Sequence, residues 1–491
     1  MGGGVTIKRI RIIGGGLAGP EAALQAAKRG CEVDLYEMRP ARSTEAHQTS
    51  DFAELVCSNS LKSESENTAP WLLKQEMRRA GSILLAEADA TAVPAGHALA
   101  VDRVEFSKRV AERIAAEPRI TVHREEVTRL EENDSNTLTI LASGPLTSPA
   151  LAAELQRLTG SDHLAFYDSI SPIVDATTID MSKVYFAARY DKGTADYINC
   201  PFTKEEYERF MEALTTAEAV PAKEWEQLPT ANLSLLSSRS EAEGSASPTE
   251  NGQLRTSNVP LQYFEGCLPI EETARRGRDT LRFGPMKPVG LTDPKTGRWP
   301  YAVVQLRQEN LRADSYNLVG FQNHLKFGEQ NRVLKLIPGL ENATFLRYGQ
   351  IHRNTYIHAP SLLTETLQLK AHSGIMIAGQ LSGVEGYTES IASGMLAGIY
   401  ATAIATGNTP VPAPRLSANG SLTHYITHSE TKKFQPANIT FDLLPPLEEE
   451  LRKKMRDKKE RHKLQCDRAL SAWDQWLQTL SATLPSSCYA P

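Results

Sequence analysis

The feature that most constrains the fold is a glycine-rich turn near the N-terminus. An apolar, β-branched run at residues 10–13 leads into Gly14, Gly16 and Gly19, and Ala- and Leu-rich sequence follows. This order of strand, turn and helix lets the backbone approach a pyrophosphate, which the N–H groups at the helix N-terminus then bind. Glycine suits these positions because a Cβ would obstruct the turn, the ligand or the helix–strand packing. The turn therefore predicts an α/β fold with a Rossmann-like domain.

A second strand after this helix makes the prediction more specific. Residues 32–37 are strand-like, and the run ends in an acidic residue, Glu37. A carboxylate at this point can accept a hydrogen bond from a ribose hydroxyl, which favours FAD or NAD over NADP. The alternative is an ordinary strand–helix–strand unit with an exposed acid. We predict that these residues contact a dinucleotide: Gly14, Gly15, Gly16, Leu17, Ala18, Gly19 and Glu37.

Composition narrows the class of protein. The chain has 491 residues, enough for two or three domains, and a net charge of −5, so any nucleic-acid surface must be a local basic patch. Six scattered cysteines without a CxxC pair argue against a disulfide framework or a zinc site. The N-terminus lacks the features of a signal peptide, and the apolar residues 391–406 are too few for a membrane span. We expect a cytoplasmic protein without a metal or membrane partner.

A second glycine-rich turn lies far along the chain. Residues 374–379 are strand-like, and a long Gly/Ala-rich helix is predicted at residues 388–406. Two such turns fit a large, two-ended cofactor such as FAD, with the second helix N-terminus facing the flavin ring. The alternative is a plain strand–helix unit of the same sheet. The predicted contacts of this turn are Gly379, Gln380, Gly383, Gly386 and Tyr387.

The domain organisation follows from changes in texture along the chain. We expect a discontinuous FAD-binding domain at residues 5–165 and 329–410, and a sheet-containing α+β insertion at residues 166–328. The Ser- and Glu-rich stretch at about 233–258 is predicted to be a disordered loop. Residues 411–491 are expected to be a helical segment that packs on the FAD domain. Its basic run either contacts phosphates or forms a solvated helix face.

Two cysteines are candidates for chemistry. Cys57 lies in a long loop, predicted at residues 38–70, that embeds apolar residues and precedes a helix predicted at residues 71–88. Cys267 ends the run Tyr-Phe-Glu-Gly-Cys. Neighbouring guanidinium groups would raise the thiolate fraction and could also bind phosphates. The alternative is that each cysteine is a small buried apolar residue. The arginines after Cys267 that could serve in this way are Arg275, Arg276 and Arg278.

A third cluster mixes aromatic, basic and amide side chains at residues 345–356. Arg347, His352 and Asn354 belong to it. Such groups can stack on and hydrogen-bond to a flat heterocycle. The alternative is a pair of strands with polar surface residues.

Taken together, these motifs resemble one family over residues 9–480. The resemblance rests on the first glycine turn, the Glu-Leu-Val-Cys-Ser-Asn-Ser run at 54–60, the run at 263–267, the Leu-Arg-Phe-Gly-Pro-Met-Lys-Pro run at 281–288, residues 352–355 and the second glycine turn. They are similar to the TrmFO family of folate- and FAD-dependent tRNA (uracil-5-)-methyltransferases. The related GidA/MnmG wobble-uridine proteins share the two glycine turns, but are expected to carry a longer C-terminal helical region. The Ser/Glu-rich stretch before Cys267 departs from the family pattern.

The resemblance implies a GidA/glutathione-reductase-like fold and a specific reaction. 5,10-Methylenetetrahydrofolate would supply one carbon to C5 of uridine 54 in the T-loop of tRNA, and NADPH or NADH would reduce the FAD. By match to the family motif, Cys267 would be the nucleophile that attacks the uridine, and Cys57 would lie against the flavin. Arg347, His352 and Asn354 would hold the folate, and Arg275, Arg276 and Arg278 would anchor the tRNA. The insertion at residues 166–328 would bind the tRNA or substrate. The division of roles between Cys57 and Cys267, the exact folate-holding residues, the choice between NADH and NADPH, and the oligomeric state stay open.

Three other functions remain possible at this stage. The first is a GidA/MnmG-like role in wobble-uridine modification. The second is a flavin-dependent thiol oxidoreductase, which would have to use an unusual pair of Cys57 and Cys267 because the sequence has no CxxC motif. The third is a tRNA-binding flavoprotein without catalytic activity.

Overall fold

A computed structural model describes residues 9–44, 46–131, 136–160, 164–191, 194–220, 268–430, 434–455 and 457–483. The strands in these ranges are β1 (Arg9–Ile13), β2 (Val33–Tyr36), β3 (Ser60–Ser63), β4 (Ala92–Val93), β5 (Ala98–Val101), β6 (Ile120–His123), β7 (Thr137–Leu141), β8 (Leu164–Ser169), β9 (Ile173–Asp175), β10 (Tyr185–Ala187), β11 (Tyr197–Phe202), β12 (Ala302–Gln308), β13 (Ser315–Leu318), β14 (Phe345–Arg347), β15 (Ile351–Tyr356) and β16 (Ile375–Ile377).

The α-helices in the same ranges are α1 (Ala18–Lys28), α2 (Ala69–Arg79), α3 (Ile83–Ala90), α4 (Arg103–Ala116), α5 (Pro149–Thr159), α6 (Lys204–Thr216), α7 (Ile270–Arg275), α8 (Thr280–Phe283), α9 (Phe327–Leu334), α10 (Ala359–Leu362), α11 (Tyr387–Ala405), α12 (Ala418–His428), α13 (Glu449–Lys454) and α14 (Lys458–Thr483).

The first sheet is parallel and carries both glycine turns at one edge. Its strand order is β16-β7-β1-β2-β6, and each neighbouring pair is parallel. The first glycine turn follows β1 and the second follows β16. Because parallel strands end at the same edge of a sheet, the two turns come together although they are far apart in sequence. The Rossmann-like α/β prediction is confirmed.

Helices α1 and α11 pack against each other so closely that only glycine fits between them. A Cβ at Gly394 would lie 2.3 Å from the carbonyl oxygen of Ala18, and one at Gly398 would lie 2.6 Å from that of Ala22. Every residue of α11 from Thr388 to Ala403 is buried. The apolar stretch predicted at residues 391–406 is therefore a core helix. No helix among the described ranges combines the length and apolar character needed to cross a membrane.

The second sheet is antiparallel between the strands that neighbour each other, and it has its own hydrophobic core. Its strand order is β10-β11-β12-β13-β9-β14, with helix α6 contributing Tyr207, Phe210 and Leu214 to the core. Strand β14 pairs with β9, and Val333 and Leu340 belong to the same core. This unit therefore extends past residue 328, where the sequence prediction places its end. A separate ribbon of β8 and β15 joins residues 164–169 to 351–356.

Local structure departs from the predictions at two places. The predicted loop at residues 38–70 contains β3, which pairs with β5. The helix predicted at residues 71–88 is two helices, because Gly81 has a φ of +72° and the Ser82 side chain caps the second helix. The C-terminal segment, predicted to be helical, contains the helices α12, α13 and α14. The stretch at about 233–258 lies outside the described residues.

The C-terminal helices contact the first sheet's helical layer through α2. Trp473 of α14 is fully buried, and its indole N–H donates to the carbonyl oxygen of Glu76 over 2.7 Å. The Glu76 carboxylate accepts the backbone N–H groups of Ala418 and Asn419 at 2.6 and 2.9 Å. It thereby satisfies donors at the N-terminus of α12 that have no partner within the helix.

Candidate active site

A cleft of about 340 Å³ lies where β1, β2, β7 and β16 end. Both glycine turns line it. Of the twelve residues predicted to bind cofactor, ten line the cleft: Gly14, Gly15, Gly16, Leu17, Ala18, Glu37, Gly379, Gln380, Gly386 and Tyr387. Gly19 and Gly383 do not line it and have structural roles instead.

Close backbone contacts require glycine at two positions of the first turn, Gly14 and Gly19. A Cβ at Gly14, where φ is +120°, would lie 2.3 Å from the carbonyl oxygen of Ala142 in the neighbouring strand ending. A Cβ at Gly19 would lie 1.9 Å from the carbonyl oxygen of Gly14. Gly16 differs, because nothing lies within 4 Å of its Cβ position and it faces the cleft. The turn is thus compact on the protein side and open on the ligand side.

Hydrogen bonds from the first glycine turn and from Arg39 hold the Glu37 side chain in place. Its carboxylate accepts the N–H of Gly15 at 2.8 Å and both the backbone N–H and Nε–H of Arg39 at 2.9 Å. Burial raises the pKa of Glu37, but the bonds and charge of Arg39 and the N–H of Gly15 outweigh it, so the pKa lies below its usual value. Glu37 is therefore an ionised hydrogen-bond acceptor in the cleft, as ribose recognition requires.

The second turn has glycines for a different reason. Gly379, Gly383 and Gly386 have φ values of +72°, +92° and +111°, a region that favours glycine. A Cβ at Gly383 would lie 2.5 Å from the Phe434 ring, and one at Gly386 would lie 2.5 Å from Oε2 of Glu389. Side chains rather than backbone atoms therefore surround this turn.

Tyr387 joins the second turn to the loop that carries Cys57. Its hydroxyl oxygen accepts the backbone N–H of Cys57 at 2.7 Å and that of Ser58 at 3.2 Å. Burial raises the pKa of Tyr387 well above 10, so the hydroxyl keeps its proton. Cys57 lines the cleft. The structure thus places one of the two predicted cysteines beside the predicted cofactor turn.

Two cationic side chains, Lys62 and Arg103, lie at or near this part of the cleft. Lys62 lines it and pairs with the buried Glu389 at 2.6 Å. Arg103 pairs with Glu309 at 2.7 Å and donates to the carbonyl oxygen of Leu55 at 2.9 Å. Because Leu55 is two residues before Cys57, this hydrogen bond brings the positive charge of Arg103 to the loop that carries the cysteine.

Arg103 and Lys62 were not predicted. The one local signal for Arg103 is its position in the first turn of α4, where a cation opposes the helix dipole. Lys62 has a φ of +66°, which the sequence does not reveal.

Of the three residues predicted to contact folate, only Asn354 is among the described residues that line the cleft. Asn354 lines the cleft and is 1% exposed, and its Oδ1 has no hydrogen-bond partner among the described residues. Arg347 donates to the carbonyl oxygen of Ala46 at 3.2 Å. Burial, followed by the charge of Arg103, lowers the pKa of Arg347, while Cys57 acts in the opposite direction. His352 lies in β15 opposite Asp168, and its side chain lies outside the described residues.

The predicted tRNA contacts lie elsewhere. Arg275 and Arg278 line a second cavity of about 890 Å³ together with Glu205, Glu208 and Glu212. Arg275 pairs with Glu272, and Arg278 pairs with Glu208 at 3.0 Å. Arg276 is the C-cap residue of α7. Cys267 lies outside the described residues, so the structure does not test its predicted role.

Sequence comparison places the chain among well-defined relatives. A family model described as "Glucose inhibited division protein A" matches residues 9–236 and 246–409. A protein of Koribacter versatilis named "Methylenetetrahydrofolate--tRNA-(uracil-5-)-methyltransferase TrmFO" is 65% identical over 96% of this chain and 98% of its own length. The Enterococcus faecalis protein of the same name is 50% identical over 96% of this chain and 99% of its own.

Structural comparison agrees with this assignment. The structure of Aquifex aeolicus GidA matches 98% of this chain and 75% of its own, with a TM-score of 0.65 at 16% identity. At that identity the match establishes the fold alone. The extent of the family match and the high identity to the curated relatives together show that the chain belongs to the glucose inhibited division protein A family and, within it, to the TrmFO family.

Proposed function

We infer that this chain is a tRNA methyltransferase that forms 5-methyluridine at position 54 of the T-loop. 5,10-Methylenetetrahydrofolate is the carbon donor, and FAD with NADPH or NADH provides the reducing power. The identity to relatives that carry this activity in their names supports the assignment. The observation that carries it in the structure is the cleft in which two glycine turns, Glu37 and Cys57 meet. A cytoplasmic location follows from tRNA as the substrate.

The residues of the cleft fit FAD. A two-ended dinucleotide needs one phosphate-binding helix N-terminus, a ribose acceptor and a separate site for its second ring system. The first turn provides open space at Gly16, and the ionised Glu37 provides the acceptor. Residues 379–387 and the N-terminus of α11 provide the second site. When bound there, FAD supplies the electrons that convert a methylene carbon into a methyl group.

We propose a domain organisation that matches this division of labour. The FAD-binding domain consists of residues 5–165 and 329–410, with residues 166–328 inserted between them and residues 411–491 packed on the FAD domain. The parallel sheet and the separate core of the second sheet support two units. The pairing of β14 with β9 supports moving the second boundary to about residue 348.

Cys57 acts from the loop that Tyr387 holds. The two N–H bonds to the Tyr387 hydroxyl fix the backbone at Cys57 and Ser58. Arg103 donates to the carbonyl oxygen of Leu55, two residues before Cys57, and so adds a positive charge to the same loop. From the cleft wall, the Cys57 sulfur would present a nucleophile to an electrophilic one-carbon unit.

Cys267 is the proposed nucleophile toward the uridine, by its position in the Tyr-Phe-Glu-Gly-Cys motif. Its sulfur would form a bond to C6 of the base, which converts C5 into an enolate-like, nucleophilic carbon. The base must first leave its stack, at a cost of a few kcal/mol.

Folate is proposed to contact Arg347, His352 and Asn354. The buried Asn354 Oδ1 and Arg347 Nε atoms lack hydrogen-bond partners among the described residues. Buried polar atoms of this kind normally have partners, and a pterin ring has both donors and acceptors to offer them. We propose Asn354 as the stronger contact because it lines the cleft.

Arg275, Arg276 and Arg278 are proposed to bind tRNA phosphates. The acidic residues beside Arg275 and Arg278 reduce their net charge, so we expect an individual contribution of about one phosphate contact or less. Measured tRNA affinity against salt concentration would report this contribution.

Methyl transfer to unmodified tRNA is the decisive experiment. The purified, yellow protein should form 5-methyluridine with methylenetetrahydrofolate and a reduced nicotinamide, and S-adenosylmethionine should not replace the folate. Cys267→Ala should abolish product, whereas Cys31→Ala, as a matched control, should retain activity. Full activity of Cys267→Ala would refute the nucleophile assignment. Activity with S-adenosylmethionine alone would refute the proposed function, and tRNA binding without product would favour a non-catalytic role.

A further inference from the structure

A cluster of two histidines and one glutamate lies outside the cleft. His424 and His428 are four residues apart on α12, and their rings are stacked with centroids 4.5 Å apart. Glu365 lies in the turn after α10, where Leu363 and Leu369 form an antiparallel bridge. Its Oε1 is 3.8 Å from Nδ1 of His424 and 3.8 Å from Nε2 of His428. One ligand atom from each residue lies within 4.8 Å of the others.

The hydrogen bonds of Thr427 identify the free nitrogen of His428. The Thr427 hydroxyl donates its one proton to the carbonyl oxygen of Thr423 over 2.7 Å. It must therefore accept from His428, whose Nδ1 is 2.9 Å away and so carries the proton. In the neutral ring this leaves the lone pair on Nε2, the nitrogen that faces the Glu365 carboxylate. The lone pair of His428 Nε2 and the carboxylate of Glu365 are both electron-rich, so a cation between them would stabilise this arrangement.

We propose that Glu365, His424 and His428 bind a divalent transition metal of the zinc class. Two histidines and one carboxylate are a common ligand set for zinc, with a fourth position left for water. Metal–ligand bonds of about 2.0–2.2 Å imply tetrahedral ligand–ligand distances of about 3.3–3.6 Å. Glu365 Oε1 lies 3.8 Å from each nitrogen, close to these values. The two histidine rings are stacked 10° from parallel, so metal binding requires their side chains to rotate until both lone pairs point to the ion. The contact between Nδ1–H of His428 and Thr427 resembles the outer hydrogen bonds that orient metal-bound histidines.

The metal would connect two parts of the chain. Helix α12 packs against α10 and α2, and Glu365 lies in the short turn between α10 and β16. Zinc bound to both would hold α12 against the turn and stabilise the folded state, because it binds the assembled site and not the separated residues. The side chains are 39–47% exposed, so the ion can enter directly from solvent.

Zinc binding to the untagged, full-length protein tests this proposal. After removal of metal with a chelator, the wild type should bind one zinc ion at this site, and its melting temperature should rise with zinc. His424→Ala and His428→Ala should each raise the Kd for zinc at least tenfold and remove the zinc-dependent part of the rise. Glu365→Gln should raise the Kd by a smaller factor.

The exposed His97, which is not part of the cluster, gives the matched control. His97→Ala should bind zinc like the wild type, and all variants share the same cysteines, so thiol binding cancels in the comparison. Bound cobalt should show tetrahedral visible bands in the wild type that are absent in His428→Ala. Equal zinc affinity in the wild type and both histidine variants would overturn the proposal. So would the absence of zinc binding to the wild type.

Discussion

The two glycine turns line one cleft but are built in opposite ways. In the first turn, backbone atoms surround Gly14 and Gly19, and the side chains of Glu37 and Phe52 lie close to Gly15. In the second turn, Phe434, Lys62 and Glu389 surround the glycines. The first turn can therefore be recognised from a short stretch of sequence. The second depends on residues from several distant parts of the chain.

This difference has a functional meaning. The first turn, with Glu37, forms a fixed acceptor and phosphate site that many nucleotides could use. The second turn is connected through Tyr387 to Cys57, and through Lys62 to β3. Changes at the second turn should therefore affect the chemistry, whereas changes at the first should affect folding and cofactor retention.

Gly19→Ala should have the largest effect. The added Cβ would overlap the carbonyl oxygen of Gly14 at 1.9 Å, and a backbone atom cannot move aside as a side chain can. We expect a loss of about 4 kcal/mol or more in unfolding free energy and loss of FAD. Chemical denaturation and flavin absorbance measure both quantities.

Gly374→Ala serves as its control, because nothing lies within 4 Å of the Cβ position there. This variant should stay within about 0.5 kcal/mol of the wild type. A stable, yellow Gly19→Ala protein would show that the first turn is less rigid than its contacts indicate.

The packing of α2 against the N-terminus of α12 should depend on pH through Glu76. Burial raises the pKa of Glu76 to about 7, although the N–H groups of Asn419 and Ala418 act in the opposite direction. A raised carboxyl pKa contributes stability below the unfolded value near 4.5, and this contribution is lost as the pH rises through about 7. The loss amounts to about 3 kcal/mol. Unfolding free energies measured from pH 5 to 8 should decrease accordingly, and Glu76→Gln should flatten the curve.

Glu37 at the first turn should change stability with pH in the opposite direction to Glu76. Its pKa is lowered, so its contribution is present above pH 4.5 and is lost only as the pH falls below that value. Glu37→Gln should therefore leave the slope between pH 5 and 8 unchanged. The same slope in the wild type and Glu76→Gln would contradict the assignment to Glu76.

Lys62→Met should destabilise the protein by about 2 kcal/mol. Glu389 is completely buried, and the substitution removes the cation that pairs with it at 2.6 Å. The double variant Lys62→Met/Glu389→Gln should recover part of the loss, because the unpaired charge is then gone. Thermal unfolding of both variants measures the coupling. A double variant that is less stable than the sum of the single effects would argue against a charge pair.

Tyr387→Phe should have the smallest effect on stability and a large one on activity. It removes the acceptor for the N–H groups of Cys57 and Ser58, at about 1 kcal/mol. Methyl transfer should fall at least tenfold while FAD content stays unchanged.

Tyr400→Phe is a matched control for this variant. The Tyr400 hydroxyl also accepts a backbone N–H, that of Ala413 at 2.8 Å, and Tyr400 does not line the cleft. It should show a similar loss of stability with normal activity. Equal activities in the two variants would mean that Tyr387 has no special role at the second turn.

The sequence predicted those parts of the site that are encoded locally. The first turn and Glu37 follow one another within a single strand–helix–strand unit, and each carries a known physical requirement. Cys57 and Tyr387 were predicted separately, but their hydrogen bond was not, because it joins residues 330 positions apart. Lys62 and Arg103 were not predicted, because their ion-pair partners, Glu389 and Glu309, lie far away in the sequence.

Fold predictions failed where one residue changes the backbone direction. Gly81 divides a helix that hydrophobic spacing predicts as continuous, and its positive φ becomes visible only in three dimensions. The second sheet extends past residue 328 because β14 returns to pair with β9. Pairing between distant strands of this kind leaves no periodic signal.

The close contact of α1 with α11 at Gly394 and Gly398 also governs the order of events during biosynthesis. The first turn leaves the ribosome some 365 residues before the second. At about 5–20 residues per second, this interval lasts on the order of 20–70 s. Until α11 emerges, the nascent chain has only half of the cleft and an uncovered face on α1. Cofactor capture therefore belongs to the last stage of synthesis, when both halves of the site are present at once.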